Sequence, residues 1–242
     1  MGVDAFAAKW LVKQGGWAGS RVLSIGRQNW WLSRRESRAI GLPNPPAWGR
    51  NNYSEGFWEW LGAECSSVDL VPDERPDYLA DLGVVGSLSR LGLRESFDRV
   101  VDFGTAEHVA DQGAYWGNVW DAVRPGGSVY GILPADGMCG HGLYQFSPEF
   151  FHAMGGFQSV EVGFLTYGPR IRWSPAPYGG RFQRRFRWPT YVTFSMVRRD
   201  DPFVLPKQFQ DATTPTTAEK PWAKWLVEVP GVRVLERIKW AL

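Results

Sequence analysis

The stretch that decides the fold runs from Phe97 to Phe151 and contains FDRVVDFGTAEHV, then VRPGGSVYGILPA, then GHGLYQFSPEFF. Residues 99–103 are a short, mostly apolar run of the kind expected for a strand buried on both faces. Residues 112–123 are long enough for the crossover helix that a parallel neighbouring strand requires. Arg124-Pro125-Gly126-Gly127 should end that helix, because proline cannot continue it and glycine accepts the left-handed turn. Residues 128–133 are then predicted to be the next buried strand.

This pattern carries a family resemblance. FDxVxDxGTxEHV, RPGG and GHGxYQFSPExF together resemble the fourth and fifth strands of class I S-adenosylmethionine-dependent methyltransferases, and the last run is similar to one bacterial subgroup. The resemblance covers about residues 20–200. It implies an α/β, Rossmann-like three-layer sandwich whose seven-stranded sheet is mostly parallel, with an antiparallel last strand. It also implies S-adenosylmethionine as cofactor, S-adenosylhomocysteine as product, and O- or N-methylation of a small molecule, for example in natural-product or sugar biosynthesis.

Composition places the chain among globular proteins. Its 242 residues suit one domain that can bury a core, and its content of 44% hydrophobic and 21% charged residues is that of a soluble protein. The net charge of +2 does not by itself indicate a nucleic-acid partner. The 14 tryptophans and 14 phenylalanines suit both a core and a pocket for a flat or apolar substrate.

Two further compositional features concern location and covalent chemistry. Cys65 and Cys139 are the only cysteines and lack Cys-x-x-Cys spacing, so neither a disulfide framework nor a zinc site is expected. The sequence shows no membrane-spanning run and no secretory signal, which predicts a cytoplasmic protein without a membrane partner.

The turn after the predicted first strand, residues 21–27, contains a single glycine, Gly26. Such a turn lets backbone N–H groups approach a ligand, and Asn29 is predicted to cap a following helix over residues 30–40. Nucleotide-binding turns usually carry two or three glycines. The single glycine either leaves less room beside the cofactor or implies that side chains make contacts that backbone usually makes. The predicted cofactor contacts in this turn are Gly26, Arg27 and Gln28.

The other predicted cofactor contacts lie at later strand ends. Asp69 closes the strand predicted over residues 66–71, where a carboxylate can accept both ribose hydroxyl protons, and Leu70 lies beside it. In similar family members the adenine is contacted near Asp81 and Leu82, although Asp81 is alternatively a plain surface aspartate. The resemblance also places residues at the end of strand four beside the methionine part of the cofactor: Asp102, Phe103 and Gly104.

Two histidines are candidates for the base that a hydroxyl acceptor would need. His141 lies between glycines, which leaves its imidazole accessible, and its ordinary pKa allows proton transfer at neutral pH. His108 is the second candidate; the alternative is that it only fixes its loop. A histidine with scattered acids is not a ligand set, so no metal is predicted.

Residues 41–63 form an insertion between the first predicted helix and strand two. It is interpreted either as a lid over the substrate, with Trp48, Tyr53 and Trp58 as walls, or as a satellite hydrophobic cluster. The full set of predicted substrate contacts is Trp30, Tyr53, Trp58, Glu107, Tyr144 and Gln145.

The remaining segments define the predicted domain organisation. Residues 1–20 contain a helix that is either a lid or packed on the sheet edge, residues 21–200 form the methyltransferase-like domain, and residues 201–242 form a tail. The tail is expected to pack on the core or on a second subunit, so a homodimer is one alternative. Residues 168–190 hold six arginines interleaved with aromatic residues, which suits a phosphorylated or carboxylated substrate, nucleic acid, or a solvated hairpin or oligomer contact.

Two other functions remain open from sequence. The single-glycine turn is also consistent with an enzyme of this fold that no longer transfers methyl groups. The arginine-rich segment is also consistent with an RNA-modifying or RNA-binding protein, although a dedicated nucleic-acid binder would usually be more basic overall.

Overall fold

A computed structural model describes residues 2–43, 49–178 and 188–205. These belong to the first of two units, residues 1–207. The second unit, residues 208–242, lies outside the described residues, as do nearly all of the predicted tail, Trp48 and four of the six arginines of residues 168–190.

The strands of the described chain form a three-stranded and an eight-stranded sheet. In chain order they are β1 (Gly2–Val3), β2 (Arg21–Ile25), β3 (Asn29–Trp30), β4 (Gly49–Tyr53), β5 (Glu64–Asp69), β6 (Tyr78–Leu79), β7 (Phe97–Asp102), β8 (Val123–Asp136), β9 (Phe157–Thr166), β10 (Arg172–Pro175) and β11 (Thr190–Arg198). The helices are α1 (Ala5–Gln14), α2 (Arg34–Ala39), α3 (Glu55–Trp60), α4 (Ser87–Arg90), α5 (Gln112–Ala122) and α6 (Pro148–Ala153), with 3₁₀ turns at Pro72–Glu74 and Ala106–His108.

The large sheet has the strand order β10-β9-β11-β8-β7-β2-β5-β6. Strands β8, β7, β2, β5 and β6 are parallel, whereas β11 runs antiparallel between β8 and β9. The mostly parallel α/β sheet with an antiparallel end is therefore confirmed. The strand number was too low by one, because β10 pairs with β9 inside the segment predicted to be an insertion.

Helices cover both faces of the sheet, as a three-layer sandwich requires. Alternate strand residues enter different core clusters, for example Val100 beside α5 and Val101 beside α1. The buried face of α1 belongs to the second cluster, which favours packing on the sheet over a free lid. No helix among the described residues is long and apolar enough to cross a membrane.

The predicted helix over residues 30–40 begins later than expected. Asn29 is not its cap, because β3 pairs with both β1 and β4. The helix starts at Arg34, since Ser33 and Glu36 form a capping box in which each side chain accepts a hydrogen bond from the other's backbone N–H. Strands β3 and β4 of the three-stranded sheet therefore connect the Gly26 turn to the insertion.

Candidate functional site

A cleft of about 390 Å³ opens at the carboxyl ends of the central parallel strands. Strand β2 has β5 on one side and β7 on the other, so the order in which the chain adds these parallel strands to the sheet reverses there and leaves a crevice between the following loops. Most predicted cofactor contacts line this crevice, namely Gly26, Arg27, Gln28, Asp69, Leu70, Asp81, Leu82 and Gly104. His108 lines it as well.

The turn after β2 requires glycine at position 26. Gly26 has φ +74°, and a β-carbon there would lie 3.0 Å from Thr105 Oγ1 and 3.3 Å from Gln28 Nε2. Thr105 Oγ1 in turn donates to the Ile25 carbonyl at 3.2 Å, joining the loop after β7 to the end of β2. Glycine at this position therefore lets Thr105 and the Gln28 side chain pack against the turn.

Gln28 occupies space that further glycines would leave open. Its side chain is buried and folds back so that Nε2 donates to the Ile25 carbonyl at 2.6 Å. Its Oε1 is buried without a hydrogen-bond partner among the described residues. Because buried acceptors are normally paired, this oxygen lacks a donor, which the described residues do not supply.

Arg27 closes one side of the cleft and connects it to the insertion. Its Nε donates to Glu55 Oε1 at 2.7 Å, its Nη1 donates to the Glu74 carbonyl at 2.6 Å, and its guanidinium lies 3.9 Å from the centre of the Tyr53 ring. Tyr53 therefore supports Arg27 and is absent from the cleft lining. Burial, followed by the charge of Glu74, raises the pKa of the Tyr53 phenol.

Acidic and apolar groups share the opposite wall. Asp69 Oδ1 accepts from its neighbour Leu70 N at 2.7 Å, while Oδ2 faces the Gly26 turn, 3.9 Å from where a β-carbon would stand. Leu70 is 63% exposed although it lines a concave surface. Asp81 is exposed, and its Oδ1 accepts from Gly83 N at 2.8 Å. A wall that presents both carboxylate oxygens and uncovered apolar surface suits a ligand with hydroxyl or amino donors and a flat apolar part.

Asp102 and Phe103 do not line the cleft. Asp102 points into the protein and accepts four hydrogen bonds: from Gly104 N at 3.0 Å, Thr105 N at 2.8 Å, Ala106 N at 3.2 Å and Tyr115 Oη at 2.6 Å. Burial raises the pKa of its carboxyl, against the opposing effect of these bonds. Asp102 therefore shapes the loop after β7, and the prediction that it contacts the cofactor is corrected to this structural position.

Phe103 faces the other side of the sheet, because successive strand residues point in opposite directions. It lies in the core cluster that includes α1 and borders a second cavity of about 240 Å³ with residues such as Ile132, Tyr167 and Tyr191. Its predicted position beside the cofactor is corrected accordingly.

Trp30 and Trp58 are likewise placed in the core rather than at the cleft. They are 0% and 1% exposed, and their indole N–H groups donate to Ser37 Oγ and Ser54 Oγ. The described part of the insertion therefore packs into the core cluster that also contains α1 and one face of the sheet, and it is neither a substrate wall nor a separate satellite cluster. Indole rings bury much apolar area once the N–H is satisfied.

Glu107, His108 and His141 come together beside the cleft, and of the three His108 lines it. Glu107 is 0% exposed, so its predicted contact with substrate is corrected to a buried position. Glu107 Oε1 lies 3.7 Å from His108 Nε2 and 3.5 Å from His141 Nε2, and the imidazole centres are 5.3 Å apart. Burial, followed by the negative charge of Asp102, raises the pKa of Glu107 to about 8. Burial, followed by His141, lowers the pKa of His108.

The loop that carries His141 is held against Glu107. Leu143 N and Tyr144 N both donate to the Glu107 carbonyl, at 2.7 and 3.1 Å. The side chains of Tyr144 and Gln145 also hold this part of the chain: Tyr144 Oη donates to the Ala110 carbonyl at 2.7 Å, and Gln145 Oε1 accepts from Met138 N at 3.1 Å. Neither residue lines the cleft, and the contacts with substrate predicted for them stay a prediction.

Sequence reasoning missed Thr105, Val71 and Val109, which also line the cleft. The Gly104-Thr105 pair was a usable signal, because a glycine and a hydroxyl side chain just after a buried strand suit a turn that hydrogen-bonds to the neighbouring strand, as Thr105 does to Ile25. Sequence reasoning also missed that Glu107 joins the two histidines, since His141 is distant in sequence and only the fold brings it there.

Comparisons with known proteins identify the fold. No protein-family model matches the chain, and no curated protein is significantly similar to it. A solved SAM-dependent methyltransferase from Archaeoglobus fulgidus is 12% identical, with 80% of this chain and 92% of that chain covered and a TM-score of 0.50. The Burkholderia thailandensis 1,6-didemethyltoxoflavin-N1-methyltransferase, solved with S-adenosylhomocysteine, is 17% identical over 81% of this chain and 78% of that chain, with a TM-score of 0.45. The similarity to the Archaeoglobus fulgidus protein shows that the chain has the fold of class I S-adenosylmethionine-dependent methyltransferases.

Proposed function

We propose that this protein is an S-adenosylmethionine-dependent methyltransferase that acts on an oxygen or nitrogen of a small molecule. The observation that carries the proposal is the cleft at the strand ends, in which the Gly26 turn, Asp69 and Asp81 lie around one concave surface. When bound, S-adenosylmethionine would supply an electrophilic methyl group. The protein would then bind the cofactor and the acceptor, orient them for transfer and exclude water.

The charges of the cleft support this cofactor over a phosphate-bearing dinucleotide. Glu74, Asp69 and Asp81 all line it. Arg27, the one arginine or lysine among the described residues of the lining, pairs with Glu55. Carboxylates repel phosphate groups but accept hydrogen bonds from hydroxyl and amino groups and attract a sulfonium or ammonium cation. S-adenosylmethionine is a cation rich in such donors, so the residues present fit it.

Each part of the ligand has a matching group in the cleft. Asp69 would accept from the ribose hydroxyls, Asp81 from the adenine amino group, and the exposed Leu70 with Leu82 would cover the ring. Gln28 Oε1, which has no partner among the described residues, would accept from a donor of the amino-acid part. His108 lies at the Gly104 end, where an acceptor molecule would meet the methyl group.

The same end of the cleft offers a place for the acceptor's proton. The pKa of His108 is lowered, so its imidazole is neutral at neutral pH and Nε2 can accept a proton from a hydroxyl or amine. His141, with its side chain about one-third exposed, is the alternative proton acceptor.

Calorimetric titration of the purified full chain, stripped of bound ligand, with S-adenosylmethionine and S-adenosylhomocysteine tests the proposal. We expect micromolar binding of both, weakened about 10-fold or more by Asp69→Asn, because a hydrogen bond to a charged group contributes about 1.5–3 kcal/mol. Asp73→Asn is the matched control, because Asp73 is exposed in the neighbouring 3₁₀ turn and absent from the cleft lining. Absence of heat with both ligands would refute the cofactor assignment.

One observation favours a second candidate, an enzyme of the same fold that binds the cofactor without transferring its methyl group. Gln28 is buried where other glycines would open the turn, which changes how closely a ligand can approach. Mass analysis separates the two candidates, because only a methyltransferase produces an acceptor heavier by one methylene together with S-adenosylhomocysteine.

A further inference from the structure

The carboxylate of Glu107 is buried without a hydrogen-bond partner in the described part of the chain. The side chain is 0% exposed, and neither Oε1 nor Oε2 accepts a hydrogen bond there. Burying an unpaired carboxylate is costly, and such groups in proteins are normally paired or bound to a metal. Without a ligand such a group holds a proton, and a bound cation can take the place of that proton. The two imidazoles beside Glu107 favour a cation.

The two neighbouring imidazoles do not satisfy this carboxylate directly. Their Nε2 atoms lie 3.7 Å (His108) and 3.5 Å (His141) from Glu107 Oε1, beyond the usual range of 2.7–3.2 Å for an N–H···O hydrogen bond. An ion with tetrahedral bonds of about 2.0–2.2 Å separates its ligand atoms by about 3.4 Å. One ligand atom from each of the three residues lies within 4.8 Å of the other two. The spacing is therefore suited to an ion between them.

We propose that Glu107, His108 and His141 bind a divalent first-row transition-metal ion, with zinc as the first candidate. Two imidazoles and one carboxylate form a ligand set that leaves a coordination position open. Magnesium and calcium are less suited, because they prefer sites built from oxygen ligands.

The backbone around these residues is organised for such a site. Gly142 lies against Glu107 so closely that a β-carbon would stand 2.8 Å from Glu107 Cγ and 2.9 Å from its carbonyl oxygen. Leu143 N donates to that same carbonyl, so the position of His141 is set by contacts with the residue that supplies the carboxylate. On the other side, Asp102 holds the backbone N–H groups of the loop that leads into Glu107. The two segments that carry the three side chains are thus fixed to one another.

An ion at this position would change how the acceptor loses its proton. His108 lines the cleft, so an open coordination position would be available to a hydroxyl or water at the Gly104 end. A bound divalent ion lowers the pKa of such a group, and the proton would leave to solvent rather than to an imidazole. Metal binding itself does not rest on the proposed function, since it requires neither cofactor nor acceptor.

The test is metal binding by the full chain after dialysis against a chelator, in the absence of S-adenosylmethionine. Zinc is titrated calorimetrically, and cobalt is titrated as a spectroscopic probe whose visible absorption reports nitrogen and oxygen coordination. Glu107→Gln preserves the shape of the side chain while removing its charge, and His141→Ala removes one imidazole. His152→Ala is the matched control, because His152 is the remaining histidine of the chain and its Nε2 lies 3.0 Å from the Ala176 carbonyl oxygen, outside the site.

We expect one ion per chain, with an affinity that falls by more than 100-fold in Glu107→Gln and His141→Ala and is unchanged in His152→Ala. That loss would exceed the roughly 10–100-fold typical for residues that only orient a ligand. Thermal unfolding with and without zinc checks folding, and the zinc-induced rise in Tm should disappear in the same two variants. Absence of binding would overturn the proposal, and so would binding to which Glu107→Gln makes no difference. Either result leaves the cofactor titration unaffected.

Discussion

The buried hydrogen bond between Tyr115 and Asp102 allows the loss of stability in Tyr115→Phe to be predicted quantitatively. Both side chains lie in the interior, and the Tyr115 hydroxyl donates to Asp102 Oδ2 at 2.6 Å, the shortest of the four hydrogen bonds that this carboxylate accepts. Tyr115→Phe removes only the hydroxyl and leaves the ring in place. Asp102 Oδ2 then keeps Ala106 N, at 3.2 Å, as its remaining donor.

The expected loss of stability follows from the charge and the burial of that bond. Hydrogen bonds to charged groups contribute about 1.5–3 kcal/mol, and no water replaces the lost donor at a fully buried position. Since three backbone donors remain on Asp102, we expect a loss near the lower end, about 2 kcal/mol. Asp102→Asn should cost more, because one amide N–H₂ group would face donors instead of accepting from them.

Guanidinium unfolding measures this change as a shift of the midpoint at constant slope. The control is Tyr144→Phe, which also removes a tyrosine hydroxyl. That hydroxyl donates to an uncharged acceptor, the Ala110 carbonyl, and belongs to an exposed side chain. Its effect should stay within about 0.5 kcal/mol. If Tyr115→Phe and Tyr144→Phe change the free energy of unfolding equally little, Asp102 does not organise the loop as we infer.

Three further outcomes are expected. In the presence of a chelator, the raised pKa of Glu107 makes the folded protein hold a proton that the unfolded chain releases. The free energy of unfolding should therefore fall as the pH rises from 4.5 to about 8. Glu107→Gln should be the more stable protein above pH 8, by at most about 5 kcal/mol, and as stable as wild type near pH 4.5. Thermal unfolding across this range checks the sign, and a pH-independent difference would contradict it. Gly26→Ala places a β-carbon at φ +74° and 3.0 Å from Thr105 Oγ1, so it should lower the free energy of unfolding by about 1–2 kcal/mol and weaken S-adenosylmethionine binding. Denaturant unfolding and calorimetry measure the two effects. Unchanged affinity would show that this turn does not contact the cofactor. Gly142→Ala should cost about 1–3 kcal/mol and weaken zinc binding because its β-carbon displaces the loop from Glu107. Gly56→Ala in α3 is the control, because its β-carbon meets no atom within 4 Å, and it should retain zinc.

Local patterns in the sequence were sufficient for the architecture. The apolar run of β7, the crossover helix α5 and the Ser-Pro start of α6 are each signalled by neighbouring residues, and the structure confirms all three. The helix after β3 was placed too early, although the Ser33–Glu36 capping box was readable, because Asn29 is also a good cap residue. Parallel strands joined by helices leave few topologies, so the strand order and the position of the cleft follow.

The roles of individual side chains at that cleft were decided by tertiary structure. Asp69 and Asp102 are both acidic residues at strand ends, yet Asp69 lines the cleft while Asp102 accepts hydrogen bonds from the backbone of the turn that follows it. Likewise, sequence showed His141 between glycines but not that the loop bonds to the Glu107 carbonyl. Hydrophobic periodicity and turn residues act over a few neighbours and so determine which elements form. Which polar atoms remain available to a ligand depends on contacts between segments far apart in the chain, and those exist only once the sheet has assembled.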